Sequence, residues 1–130
     1  DFVHSDSGWG PVAMSADGRK IVAITWPGRV FVSTDSGANW TQQYPAGDTD
    51  QYWQCLAMSG DGTRIIIGAW RGRLYFSSDS GTTWTQRRPA GDVDRYWESV
   101  ALSADGTRLV ATDGEMLYVS SDAGASWTSR

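Results

Sequence analysis

Three near-copies of one octet constrain this chain more than any other feature: STDSGANW at 33–40, SSDSGTTW at 77–84 and SSDAGASW at 120–127. Their closing tryptophans, Trp40, Trp84 and Trp127, stand 44 and 43 residues apart. A second set runs in phase with them, WGPVAMSADG at 9–18, WQCLAMSGDG at 53–62 and WESVALSADG at 97–106. Self-similarity at a period of 20 to 50 residues marks stacked supersecondary units, none of which buries its apolar face alone. The repeat covers nearly the whole chain, with no linker, low-complexity tract or shift in composition to divide it. We read one repeat domain, 1–130, of three units at about 6–48, 49–92 and 93–130.

The second unit shows what each repeat forms. Residues 54–59 are a short, mostly apolar run, and Asp61-Gly62 supplies a pair that tolerates the positive φ of a tight hairpin. Residues 64–70 (RIIIGAW) are β-branched, and 73–77 (RLYFS) read as a third strand ending at the octet. Residues 84–88 (WTQRR) are a more polar fourth strand stopped by Pro89, as suits an outer edge. Arg87 and Arg88 are expected to be an exposed pair there. No window has a 3.6-residue apolar period long enough for a helix, so essentially no helix is predicted. The expected fold is all-β, and four-stranded antiparallel units at this spacing are blades of a β-propeller.

The octets, Ser-x-Asp-x-Gly-x-x-Trp in all three copies, resemble the Asp-box, or bacterial neuraminidase repeat. That repeat occurs in sialidases, xyloglucanases, sortilin-type receptor domains and photosystem II assembly factors. The resemblance implies propeller blades and no single activity, since those families differ in chemistry. Three blades do not close a ring, because propellers use about four to eight. A homodimer closing a six-bladed ring is the expected solution. The alternatives are a β-trefoil, which has three four-stranded repeats within one chain, and a piece of a longer propeller. The chain opens at Asp1 without methionine, signal or transit sequence, which fits a processed product or an excised segment.

Each octet has a structural job. Asp35, Asp79 and Asp122 can accept hydrogen bonds from the backbone of the turn that follows them, and Gly37, Gly81 and Gly124 take a φ that a Cβ would oppose. Each tryptophan can lay its ring over the seam, burying about 150–250 Å². In an up-and-down blade the first and third turns share one face, and the second turns and the interblade connections share the other. The Asp-Gly turns and octets therefore fall on one side. In the families this chain resembles, that side lies away from the active site.

On the opposite side fall WPGR (26–29) and WRGR (70–73) from the second turns, with PAGDTDQYW (45–53) and PAGDVDRYW (89–97) from the connections. Rings beside carboxylates and guanidinium groups suit a sugar, whose C–H faces stack while its hydroxyls need polar partners. The candidate ligand residues are Trp26, Tyr52, Trp53, Trp70, Tyr96 and Trp97 for stacking, and Arg29, Asp50, Arg73 and Asp94 as polar partners. Trp9, Trp53 and Trp97 open innermost strands and equally suit packing between blades. The third unit has Thr112-Asp113-Gly114-Glu115-Met116 at the tip, and the first has Ser5-Asp6-Ser7-Gly8-Trp9 as its lead-in, so only two full copies of the site exist. Asp48 with Asp50, and Asp92 with Asp94, have a spacing that can face one calcium ion, yet fall well short of the six to eight oxygens calcium takes. No metal or other cofactor is expected.

Composition excludes other classes. A net charge of −4, with Lys20 the only lysine and ten scattered arginines, leaves no basic stripe for nucleic acid. No apolar run approaches the ~18 residues of a membrane helix, so no membrane partner is expected. Cys55, the single cysteine, lies in an apolar run and reads as a buried free thiol. Neither the arginine cluster and Tyr/Glu pair of sialidases nor the aspartate pair of xyloglucanases can be matched here. Glu98 and Glu115 are the only glutamates and His4 the only histidine, so no acid/base pair stands out. We expect a non-catalytic, lectin-like glycan-binding module, extracellular or secreted. The alternatives are a protein-interaction or assembly scaffold, and a fragment of a larger Asp-box glycosidase.

Overall fold

Every regular element in the computed structural model, which describes residues 8–26 and 28–130, is a β-strand. The strands are β1 (Gly8–Met14), β2 (Ile21–Trp26), β3 (Val30–Ser33) and β4 (Thr41–Gln43) in the first repeat. The second has β5 (Trp53–Met58), β6 (Ile65–Gly72), β7 (Leu74–Ser77) and β8 (Thr85–Arg87). A two-residue β9 (Arg95–Tyr96) leads into β10 (Ser99–Leu102), β11 (Leu109–Thr112), β12 (Leu117–Ser120) and β13 (Thr128–Ser129). Each repeat forms its own antiparallel sheet in chain order, β1-β2-β3-β4, β5-β6-β7-β8 and β10-β11-β12-β13. The β-trefoil alternative falls on this point, because the strands of one repeat pair with one another in a separate meander.

The cores lie between the sheets, and this explains the sequence of β6. Ile65 and Ile67 pack into one cluster with Val22, Ile24, Val30 and Val32 of the first sheet. Ile66, Leu74 and Phe76 point the other way, to Leu109, Ala111 and Tyr118 of the third. All three isoleucines are fully buried, because the middle sheet is covered on both faces. A strand buried on both faces reads as a continuous apolar run. Cys55 is buried in the second seam, where burial pushes its thiol up to about 12.

The seams are also stitched by polar groups. Ala16 N–H donates to the Gly60 carbonyl at 2.8 Å, and Gly60 N–H in turn donates to the Ala104 carbonyl at 2.8 Å. Lys20 Nζ donates to Ser80 Oγ, and an Arg64 terminal nitrogen to the Asp105 carbonyl. The expectation that Arg87 is an exposed outer-strand residue is corrected here. Its guanidinium lies 4.9 Å from the Phe76 ring centre and reaches the Ala123 carbonyl, so it seals the second seam. Arg88 is exposed, as expected.

Candidate functional site

The two ends of the blades carry different chemistry, and the octet end is self-contained. Asp35 takes hydrogen bonds from the Asn39 amide side chain, the Asn39 N–H and Ser33 Oγ, at 2.7–2.8 Å. Thr83 and Ser126 do the same for Asp79 and Asp122. These donors, the side chain of residue i+4 first, hold Asp35 and Asp122 down at about 2 and Asp79 below its usual range. Each tryptophan Nε1 then donates to the glycine carbonyl of its own octet, at 3.0 Å from Trp40, 2.9 Å from Trp84 and 3.1 Å from Trp127. Two consecutive residues adopt positive φ, Ser36-Gly37, Ser80-Gly81 and Ala123-Gly124. The glycine was legible in the sequence and its predecessor was not. The Ser36, Ser80 and Ala123 N–H groups bond back to the Asp-Gly hairpins, which places octets and hairpins on one side. The carboxylates are consumed by their own turns.

The other end gathers the second turns and the connections. Gly28 and Gln51 exchange both main-chain hydrogen bonds, and Trp70 N–H donates to the Tyr52 carbonyl at 2.7 Å. Strand β9 extends this by pairing Trp70 with Tyr96 and Gly72 with Arg95. A Cβ on Gly28 would lie 2.3 Å from Thr25 Oγ1, so only glycine lets this turn close. The result is one groove of about 460 Å³ lined by Trp26, Tyr52, Trp70, Arg71 and Tyr96. Its rings meet edge to face or tilted, Trp26 with Tyr52 at 5.8 Å and Trp70 with Tyr96 at 4.9 Å between centres. All four stay one-third to one-half exposed. The volume lies within the range of about 300–1,000 Å³ usual for small-molecule sites.

The candidate residues divide in three. Trp26, Tyr52, Trp70 and Tyr96 come together as the groove. Trp53 and Trp97 do not, and their assignment as stacking surfaces is corrected: both are 2% exposed, each packed edge to face on the aromatic of its own third strand, Tyr75 or Tyr118. Trp97 Nε1 spends its proton on the Gly72 carbonyl. Arg29, Asp50, Arg73 and Asp94 face the right side but bind one another. Arg29 bridges Asp48 and Asp50, and Arg73 bridges Asp92 at 2.6 Å and Asp94 at 2.5 Å. These pairs keep both guanidinium groups more firmly protonated than usual, and Arg73 holds Asp92 below the usual carboxylate range. The two-residue aspartate spacing is thus explained by a forked cation, with each oxygen pair aimed at its own arginine. In the third repeat Asp113 is buried at the tip, accepting from the Glu115 and Met116 N–H groups, and offers no ring. His4 and the lead-in at Ser5 to Ser7 lie outside the described residues.

Sequence reasoning passed over Arg71. Its Nε donates to the Tyr96 hydroxyl at 3.1 Å while its guanidinium lies 5.7 Å from that ring's centre. Its terminal nitrogens make no hydrogen bond among the described residues. Arg71 also holds φ +60°, a conformation that a non-glycine residue adopts at a cost of order 1 kcal/mol or more. The one signal was a bulky residue between Trp70 and Gly72, where the chain needed a turn.

No protein-family model and no curated protein sequence matches this chain. Solved structures do. A structure of YCF48 bound to D1 peptide superposes with a TM-score of 0.76 at 14% identity, over 95% of this chain and 39% of that one. YCF48 from Cyanidioschyzon merolae gives 0.76 at 16% identity, over 98% and 38%. The GH74 xyloglucanase from Xanthomonas campestris gives 0.64 at 23%, over 91% and 18%. The fold is a β-propeller. This chain spans about two-fifths or less of each of these neighbours, and so forms part of a propeller circuit.

Proposed function

We propose that this chain is a non-catalytic carbohydrate-binding module, built of Asp-box blades, whose ligand lies in the groove between Trp26, Tyr52, Trp70 and Tyr96. The observation that carries this reading is the groove itself: four half-exposed rings around one guanidinium whose terminal donors are uncommitted. A pyranose ring offers C–H faces to the rings and hydroxyl or carboxylate acceptors to Arg71. The ion pairs of Arg29 and Arg73 hold the connections that carry Tyr52 and Tyr96, and thereby set the spacing of the walls. A homodimer closing the ring would carry the groove twice, and an extracellular or secreted setting suits such a ligand.

The test is a glycan-array screen followed by titration of the best binder against Trp70→Ala and Arg71→Ala. Each substitution is expected to weaken binding at least roughly tenfold, at about 1.4 kcal/mol per decade, with the circular dichroism unchanged. A second reading, an assembly scaffold that holds a peptide in the same groove, is favoured by the superposition on YCF48 in its D1 peptide complex. A blank glycan screen with retention of peptides that Trp70→Ala abolishes would replace the first reading by the second.

A further inference from the structure

The groove is built from two matching halves that differ in one residue. Trp26 with Tyr52, and Trp70 with Tyr96, hold the same places in successive repeats, and the Trp70 N–H bond to the Tyr52 carbonyl ties the halves side by side. Between tryptophan and glycine the first tip has Pro27 (WPGR) and the second has Arg71 (WRGR). Arg71 is the one charged side chain among the described residues that line the groove. One half therefore carries a cation and the other only rings.

The backbone aims that cation. Across from β9, Trp70 pairs with Tyr96 and Gly72 with Arg95, so two steps along β6 meet one step along β9 and Arg71 is the extra residue of a bulge. Bulges re-aim side chains and gather beside functional sites. Here the bulged residue holds φ +60° while its Nε donates to the Tyr96 hydroxyl, which leaves both terminal nitrogens uncommitted among the described residues. The same hydroxyl keeps the guanidinium more firmly protonated than usual. The aspartates of the connections are spent elsewhere, Asp48 and Asp50 on Arg29, Asp92 and Asp94 on Arg73. Beyond Tyr96 the surface changes sign, in a hollow of about 180 Å³ where Asp94, Asp113 and Glu115 face Arg95. Three carboxylates to one guanidinium there disfavour a second anion.

We infer that the groove takes an acidic oligosaccharide in which a uronic acid adjoins an uncharged sugar. This rests on the carbohydrate reading of the groove and narrows it. The uronate carboxylate sits on the Arg71 terminal nitrogens, because a guanidinium offers parallel N–H groups that match the two oxygens of a carboxylate. An equatorial carboxylate lies near the plane of its pyranose, so the sugar can rest on Trp70 while the carboxylate reaches past the rim. The uncharged residue lies over Trp26 and Tyr52. A second carboxylate there would meet ring faces, which carry the negative part of the quadrupole, and no cation to offset them.

Calorimetric titration with three probes tests this: a hyaluronan tetrasaccharide, which alternates glucuronate with N-acetylglucosamine, the same molecule with its carboxyls reduced to alcohols, and tetragalacturonate, charged at every residue. The hyaluronan probe is expected to bind at least roughly tenfold tighter than its reduced form and at least roughly threefold tighter than tetragalacturonate. Arg71→Gln is expected to abolish the first difference and leave the affinity for the reduced probe unchanged, whereas Trp26→Ala weakens both forms by a common factor. Both side chains are exposed, and an unchanged thermal midpoint checks that each variant is folded. Equal affinity for the acidic and reduced probes, a preference that survives Arg71→Gln, or tetragalacturonate binding as tightly as hyaluronan would overturn the inference and leave the carbohydrate reading standing. If none of the three binds while the glycan array yields another binder, the inference alone fails. A blank array as well would sink both.

Discussion

Six aspartates share one device, a carboxylate placed where a turn's N–H and hydroxyl groups converge. Asp35 and Asp122 in the octets and Asp61 and Asp105 in the hairpins are held at about 2, with Asp17 and Asp79 also lowered. Each binds a proton more weakly folded than unfolded, where its ordinary value is about 3.9. Their contribution is therefore essentially complete above about pH 4.5 and is lost progressively as pH falls toward about 2. The thermal midpoint should be flat from neutral pH to about 4.5 and fall steeply below it. Asp35→Asn should make that fall shallower, and a midpoint independent of pH between 4 and 2.5 would contradict this assignment. Arg71 makes the opposite point at the same scale: its left-handed φ and its place over Tyr96 arise from neighbours that no local pattern reveals.

The middle sheet carries much of the stability, since both its faces are covered by neighbouring sheets. Gly68 sits on β6 where a Cβ would come within 2.7 Å of Cys55 Sγ and 2.9 Å of Trp97 Cβ. Gly68→Ala should destabilise by about 1–3 kcal/mol through overpacking, read by urea denaturation with an unchanged slope. Trp53→Ala empties a fully buried site and should cost about 3–5 kcal/mol, whereas Trp70→Ala loses chiefly its contact with Tyr96, about 0.5–1.5 kcal/mol. Equal losses at the two positions would mean that Trp70 is core as well. Both tryptophans follow or precede turn residues in similar strings, and their different fates follow from side. Trp53 points into a seam and Trp70 stands at a tip.

At the scale of the molecule the two seams make three sheets one unit, with the middle sheet packed against both neighbours. Amide hydrogen exchange should therefore be slowest at Ile65–Ile67 of β6 and faster in the short β4 and β13, and equal protection throughout would contradict this.

The repeat, the all-β class, the strand order within each unit and the two-sided sorting of turns were all legible in the residues. They depend on local signals: the two-residue period of strands, the aspartates and glycines of tight turns, and the 44-residue spacing. The octets were legible as fasteners for the same reason, because Asp35 and its partners lie within six residues of one another. What only the tertiary structure decided concerns residues far apart in the chain. Asp50 belongs to Arg29 and Asp94 to Arg73, each 21 residues away, so four candidate ligand contacts became the frame of the groove. Arg87 turned inward because the third sheet lies over Phe76. Trp53 and Trp97 went to the seams and Tyr52 and Tyr96, one residue earlier, to the groove, since each pair stands where a connection leads into an innermost strand and only the neighbouring blade determines which side is wet.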